Sequence, residues 1–327
     1  MPGTFLVGLI GADIQTSLSP PLHENEAARL GLHYWYQLID IAELGLAAGD
    51  VGDLVKAAGK LGFRGLNITH PCKQEVVKHL DELSPEAADL DAVNTVVFAG
   101  GRAIGHNTDH SGFAESFRRG LPDAPIRSVL QLGAGGAGAA VAHAIVRLGA
   151  GHLTIVDADN DRARRLADRL SSRGASVAAA ERDRIPELLA ASDGLVNATP
   201  VGMEGHPGLP LDPALLRPAL WVADIVYRPL ETGLLRAARE RGCRTLDGGG
   251  MVVHQAVEAL RLFTGHEPDV DRMLEDFAAH TATARAETAD TATADTATAR
   301  AETADTATAD TATARAETAH TATARDA

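Results

Sequence analysis

One of the chain's four lysines, Lys73, stands in GLNITHPCK (65–73), just after a proline and behind an apolar run that reads as a buried strand. In a dry cleft an ammonium can give up a proton and take it back, whereas a guanidinium stays protonated at any working pH. A lysine in such a place can therefore serve as acid or base. Other polar groups occupy comparable positions. Ser17 and Ser19 follow the first apolar run (5–11), Thr69 precedes Lys73, Asn94 lies in AVNTVV, and Asn107, Thr108 and Asp109 close HNTD. Two hydroxyls at i and i+2 of a turn can face one polyol, although in isolation turn and cap chemistry ahead of Pro20 explains them better. Ligand groups converge on loops at the carboxyl ends of strands in open α/β sheets, so these clusters count jointly.

A second kind of chemistry is written in LQLGAGGAGAAVAHAIVRLG, where Gly133, Gly135 and Gly138 have G-x-G-x-x-G spacing between an apolar strand and a helix. With Ala134, Gly136 and Ala137, they form a loop whose backbone N–H groups can approach a pyrophosphate at the positive end of the helix. The next strand, HLTIVD, ends at Asp157, nineteen residues past Gly138. An acid there accepts from adenosine ribose hydroxyls and repels a 2′-phosphate, which favours NAD over NADP. Arg162, Arg164 and Arg165 stand close by and could each meet a phosphate instead.

These residues need elements to position them. Within 1–280, short β-like runs alternate with helical patterns: FLVGLIG, HYWYQLID and FRGLNIT read as strands, and PLHENEAARLGL, GDLVKAAGKLG and KQEVVKHLDELS as helices. AVNTVVF and AIGHNTD read as strand pieces around a Gly100-Gly101 turn. The rhythm predicts an α/β fold with a mostly parallel sheet, and a second such unit starts at SVLQLGAGGAG. The helical stretch MVVHQAVEALRLFTG has no place in that second sheet and is expected to return to the first unit. After His280 the text is TATARAETADTATAD at a period of 15, with no large apolar residue, which predicts a disordered tail over 281–327.

Composition excludes several classes. A length of 327 residues suits two domains, and a net charge of −14 argues against a nucleic-acid footprint or a basic membrane-seeking face. The only cysteines, Cys72 and Cys243, suggest neither a disulfide framework nor a four-ligand zinc site, and a reducing cytoplasm is the expected setting. His23, His70, His106 and His110 lack metal-ligand spacing. The N-terminus has no basic n-region, and the apolar stretch 129–150 is broken by His143 and Arg147, so neither a signal peptide nor a membrane span is expected.

Eight motifs together resemble the shikimate/quinate dehydrogenase family over roughly 5–277: SLSP (17–20), NITHPCK (67–73), AVNTV (92–96), GHNTD (105–109), GAGGAG (133–138), NATPVGM (197–203), DIVYRPLET (224–232) and DGGGMVVHQA (247–256). The resemblance implies a substrate domain (1–110, completed by helices 250–280), a Rossmann domain (111–249) and an oxidoreductase acting on quinate, shikimate and their 3-dehydro forms. It makes Lys73 and Asp109 the acid–base pair. Ser17 and Ser19 would bind the substrate carboxylate, Thr69, Asn94 and Gln255 the ring hydroxyls, and Tyr227 would line the cleft. The cofactor would meet loop 133–138, Asp157, Arg162, Thr199, Pro200, Val201, Gly202, Met203, Val226 and Gly248. NADP-dependent members carry Asn-Arg-Thr after the second Rossmann strand, where this chain has DADNDR (157–162), closer to the NAD-dependent quinate/shikimate branch. Paired serines at 17 and 19 are usual for shikimate recognition, and although some quinate users carry threonine at the second position, Ser19 does not exclude quinate, so substrate preference stays open. An NADP-dependent biosynthetic shikimate dehydrogenase is the alternative, and a catalytically silent metabolite-binding protein is a third reading that retention of Lys73 and Asp109 opposes. The expected partners are small molecules, with a homodimer left open.

Overall fold

The computed structural model describes residues 3–172 and 174–282. Two six-stranded sheets carry the fold. In the first, β1 (Thr4–Gly11), β2 (His33–Asp40) and β3 (Gly65–Ile68) are parallel, while β4 (Glu82–Leu83), β5 (Thr95–Ala99) and β6 (Arg102–His106) complete the order β2-β1-β3-β5-β6-β4. Alternation along the strands sends side chains to two cores. Ile10, Leu66, Ile68 and Val96 meet Val51 and Val55 of α2 (Val51–Lys60), whose companion helix on the other face is α1 (Ser19–Arg29). Val7, Leu9, Tyr34, Tyr36 and Val97 pack on that other face. Burial on both faces is why β1 reads as an unbroken apolar run.

The first sheet is less parallel than the sequence predicts. β5 runs antiparallel to both β3 and β6, folding back through Gly100 and Gly101, which hold φ of +60° and +79°. The helix expected over KQEVVKHLDELS is also cut short. Only α3 (Cys72–Glu75) and a 3₁₀ turn (Val76–His79) form before β4. There Asp81 N donates to Ala103 O at 2.9 Å, and Asp81 Oδ2 accepts from Ala103 N at 2.7 Å, so pairing with β6 overrides the local helical pattern. Next comes α4 (Pro85–Leu90), a further helix beyond those the sequence pattern predicts, capped by Ser84 Oγ on Ala87 N.

The chain leaves the first sheet through α5 (Asp109–Gly120) and builds a second sheet that is parallel throughout. Its strands are β7 (Ser128–Leu132), β8 (His152–Val156), β9 (Val177–Ala179), β10 (Gly194–Asn197), β11 (Trp221–Asp224) and β12 (Arg244–Leu246), in the order β9-β8-β7-β10-β11-β12. The crossover helices are α6 (Gly136–Arg147), α7 (Asn160–Ser171), α8 (Ile185–Ala191) and α9 (Gly233–Glu240). Strand order reverses between β7 and β10, which opens a crevice at their carboxyl ends.

As expected, the helix after the second sheet returns. α10 (Gly249–Thr264) packs on α5, α1, β1 and β5, and its Phe263 joins Val7 and Leu9. A further helical run begins at 270 and is tied to α1 by fully buried Glu26, which accepts from Arg272 Nε and Asp269 N, each at 2.8 Å. Residues through Phe277 form one compact unit; of the second, 278–327, only 278–282 are described, as helix. The disordered tail expected over 281–327 otherwise lies outside the described residues. Among those described, no helix is long and apolar enough to cross a membrane.

Candidate functional site

Lys73 enters the site from α3, directly after β3, and Asp109 from the first turn of α5. Lys73 Nζ donates to Asp109 Oδ2 at 2.6 Å, and the two side chains are 19% and 8% exposed. The other carboxylate oxygen accepts from Asn94 Nδ2 at 2.9 Å. Asn94 in turn has no idle group: Nδ2 also donates to Thr108 Oγ1 at 3.0 Å, and Oδ1 accepts from Thr108 N at 2.7 Å. Asn94 thus fixes the Asp109 carboxylate, and Asp109 fixes the lysine.

The glycine loop stands against this cluster. A methyl group placed on Gly136 would lie 3.8 Å from Lys73 Cδ, so the lysine runs past the start of α6. Gly133 has φ +100°, and a Cβ there would come within 2.5 Å of Ala198 O, so only glycine fits. Buried Gln131 holds the loop closed: its Nε2 donates to Gly133 O and Gly138 O, both at 2.8 Å. No side chain caps the start of α6, and a Cβ on Gly135 would meet open space. Helix N–H groups without a side-chain cap, facing the hollow beside Gly135, are what a dinucleotide pyrophosphate needs, and the residues present fit it.

Asp157 closes the other side of the hollow. Its Oδ2 accepts from Ala134 N at 2.6 Å and its Oδ1 from Asp159 N at 2.8 Å, which leaves one lone pair on each oxygen for a ribose hydroxyl. Arg162 lies 3.7 Å from Asp157 and 3.8 Å from Asp159, so two carboxylates already face its guanidinium. On the far side of the crevice Thr199 Oγ1 donates to Asn197 Oδ1 at 2.6 Å, starting the turn Pro200, Val201, Gly202, Met203. Gly248 abuts the end of β11: a Cβ there would sit 2.4 Å from Ile225 O and 2.7 Å from Val226 O.

The remaining expected residues line the rim. Ser19 N donates to Ser17 Oγ at 3.2 Å, which orients the turn into α1. Thr69 sits between β3 and α3, its methyl filling the space a Cβ on Gly11 would need. Tyr227 packs with Leu22 and Val253, and burial pushes its phenol pKa up. Gln255 does not reach into a shared network: its Nε2 donates to Val252 O at 3.0 Å on its own helix, beside Gly112 of α5.

Besides Gln131, three polar residues beyond the expected set support the site. Asn67, inside β3, accepts from Tyr36 Oη at 2.8 Å and donates to Thr95 Oγ1 at 3.2 Å. Asp40, at the end of β2, holds the loop before Ser17 by accepting from Asp13 N and Ile14 N. Asp224 accepts from Asn197 Nδ2 at 3.0 Å, Val226 N at 3.1 Å and Thr232 Oγ1 at 2.8 Å; burial pushes its pKa up to about 6 against those donors. Asp40 and Asp224 close apolar strands at their carboxyl ends, a signal that could have found them, whereas Asn67 stands inside β3 and has none.

Comparisons with known proteins converge on one family. Residues 9–96 match the Shikimate dehydrogenase substrate binding domain, 248–275 the Shikimate 5'-dehydrogenase C-terminal domain, and 129–202 the Saccharopine dehydrogenase NADP binding domain. A shikimate dehydrogenase (NADP(+)) of Streptomyces avermitilis is 62% identical over 283 residues, covering 86% of this chain and 97% of the relative. A quinate/shikimate dehydrogenase (NAD(+)) of Corynebacterium efficiens is 49% identical over 84% of this chain and 98% of its own length. The solved quinate dehydrogenase from Corynebacterium glutamicum in complex with NAD superposes with a TM-score of 0.80 at 48% identity, covering 85% of this chain and 99% of that one. The chain belongs to the shikimate/quinate dehydrogenase family.

Proposed function

We propose that the chain is an NAD-dependent dehydrogenase interconverting quinate and shikimate with their 3-dehydro forms, using Lys73 and Asp109. The observation that carries this is the 2.6 Å contact between these two side chains beside the uncapped start of α6. Residues 1–110 with 250–280 serve the substrate and 111–249 the dinucleotide. When bound, the nicotinamide supplies the hydride acceptor or donor. Lys73 takes the ring hydroxyl's proton as that carbon is oxidised and returns it in reduction. Asp109 aims the lysine nitrogen and balances its charge, and Asn94 stops the carboxylate from turning. Ser17 and Ser19 hold the substrate carboxylate, Thr69 and Gln255 the ring hydroxyls, and Tyr227 the wall of the cleft. Low exposure of the pair leaves little water to compete for the proton.

The NAD preference rests on Asp157, whose spare lone pairs suit a ribose diol, and on Arg162, which must leave two carboxylates to meet a 2′-phosphate. The 48%-identical structure with NAD points the same way. NADP is the second reading, favoured by the 62% identity to an NADP(+)-named relative. Both thiols are free and buried, which suits a cytoplasmic location. A kcat/KM matrix of quinate and shikimate against NAD and NADP is the test. Higher values with NAD for both acids are expected, and a preference for NADP would overturn the cofactor assignment.

A further inference from the structure

The loop that delivers Ser17 is held from both halves of the molecule. Asp40 grips it from the first sheet. Across the crevice, Arg228 Nη1 donates to Thr16 O at 2.7 Å, and its Nη2 lies 3.0 Å from Glu204 Oε2. Glu204 N closes the circuit by donating to Arg228 O at 3.0 Å. Arg228 follows β11 and Glu204 follows β10, so both belong to the half built on the second sheet, whereas Thr16 precedes the hydroxyl turn of the first. One side chain therefore ties the two halves at the rim. Glu204 is 63% exposed, so the ion pair itself contributes little and serves to aim the guanidinium fork.

We propose that Arg228 is a positioning residue for the carboxylate-binding turn. Its bond to the Thr16 carbonyl sets Ser17 and Ser19 relative to the second half, and it fixes a permanent positive charge beside that turn in a chain of net charge −14. The proposal rests on the assignment of Ser17 and Ser19 to an anionic substrate, and its test separates the two.

Arg228→Met and Arg228→Lys are compared with the unmodified full chain in two measurements. In steady-state kinetics at saturating dinucleotide, Arg228→Met raises KM for the acid about tenfold, the order expected for a lost charge-assisted hydrogen bond, and Arg228→Lys recovers most of it. Glu204→Gln stays within about twofold of the unmodified chain. In pulsed electron paramagnetic resonance, spin labels at Leu61→Cys and Asp183→Cys, both exposed positions on opposite halves, report the spacing of the halves, since native Cys72 and Cys243 are buried. The distance distribution broadens in Arg228→Met and stays narrow in Arg228→Lys. An unchanged KM, an unbroadened distribution, or a Glu204→Gln effect as large as that of Arg228→Met overturns the proposal. No turnover of either acid by the unmodified chain would count against the activity alone, and the label distances would then decide the role of Arg228.

Discussion

Replacing Asp224 by Asn removes a buried charge while keeping the shape of its network. The carboxylate lies at the end of β11, 1% exposed, between Asn197, Val226 and Thr232. Burial raises its pKa from 3.8 to about 6, against the donors that hold the charge. A raised carboxyl pKa means that the folded state binds the proton more tightly than the unfolded chain. Its contribution to stability is therefore complete below about pH 4 and is lost as pH rises to 6 and beyond. A shift of about two units corresponds to roughly 3 kcal/mol, of which about 2.5 kcal/mol falls between pH 4 and pH 8. An amide at position 224 does not titrate, so Asp224→Asn lacks this loss. Altered hydrogen bonds to Thr232 add an offset that is constant with pH. The assay is thermal unfolding of both proteins from pH 4 to pH 8, in which every other titrating group cancels in the difference. The Tm of Asp224→Asn relative to the parent should climb by on the order of 5 °C across that range, most of it between pH 4 and 6. A difference that stays flat with pH would show that the charge costs nothing where it lies, and the reasoning would fall.

Other expectations concern turnover and cofactor. Lys73→Ala should lower kcat by about 10²- to 10⁴-fold, and near-parental turnover with quinate and shikimate would remove the lysine from the chemistry. Gly133→Ala should abolish detectable dinucleotide binding in a fluorescence titration, because the left-handed φ and the Ala198 carbonyl both exclude a methyl group; retained affinity would count against the loop assignment. Asp157→Ser should shift the NAD to NADP ratio of kcat/KM toward NADP by at least about tenfold, by freeing Arg162 and removing a repelling charge; an unchanged ratio would place selectivity elsewhere.

Much of the architecture is readable in the sequence because local and global signals agree there. The GAGGAG loop between a strand and a helix announces the parallel second sheet, and the orphaned last helix announces its own return. β4 is hidden because its two residues sit inside a helical pattern and gain their order from β6, whose paired residues lie 22 positions on. Lys73 and Asp109 are legible through motifs, whereas the hydrogen bonds by which Asn94 holds Asp109 have no signature in the sequence. Asn67 and Gln131 escaped for a shared reason. Each stands in an apolar strand whose period marks it as interior, and only the three-dimensional neighbours reveal the hydrogen bonds that make such a placement tolerable.

The return of α10 has a consequence for how the protein is made. Val7 and Leu9 are translated ahead of the whole second sheet, yet the Phe263 and Ala259 side chains that cover them arrive only after it. At the usual pace of elongation the part of that face which α1 does not cover waits for on the order of ten seconds or more. A copy terminated before residue 249 lacks Phe263 and Ala259, and nothing else in the polypeptide takes their place over Val7 and Leu9.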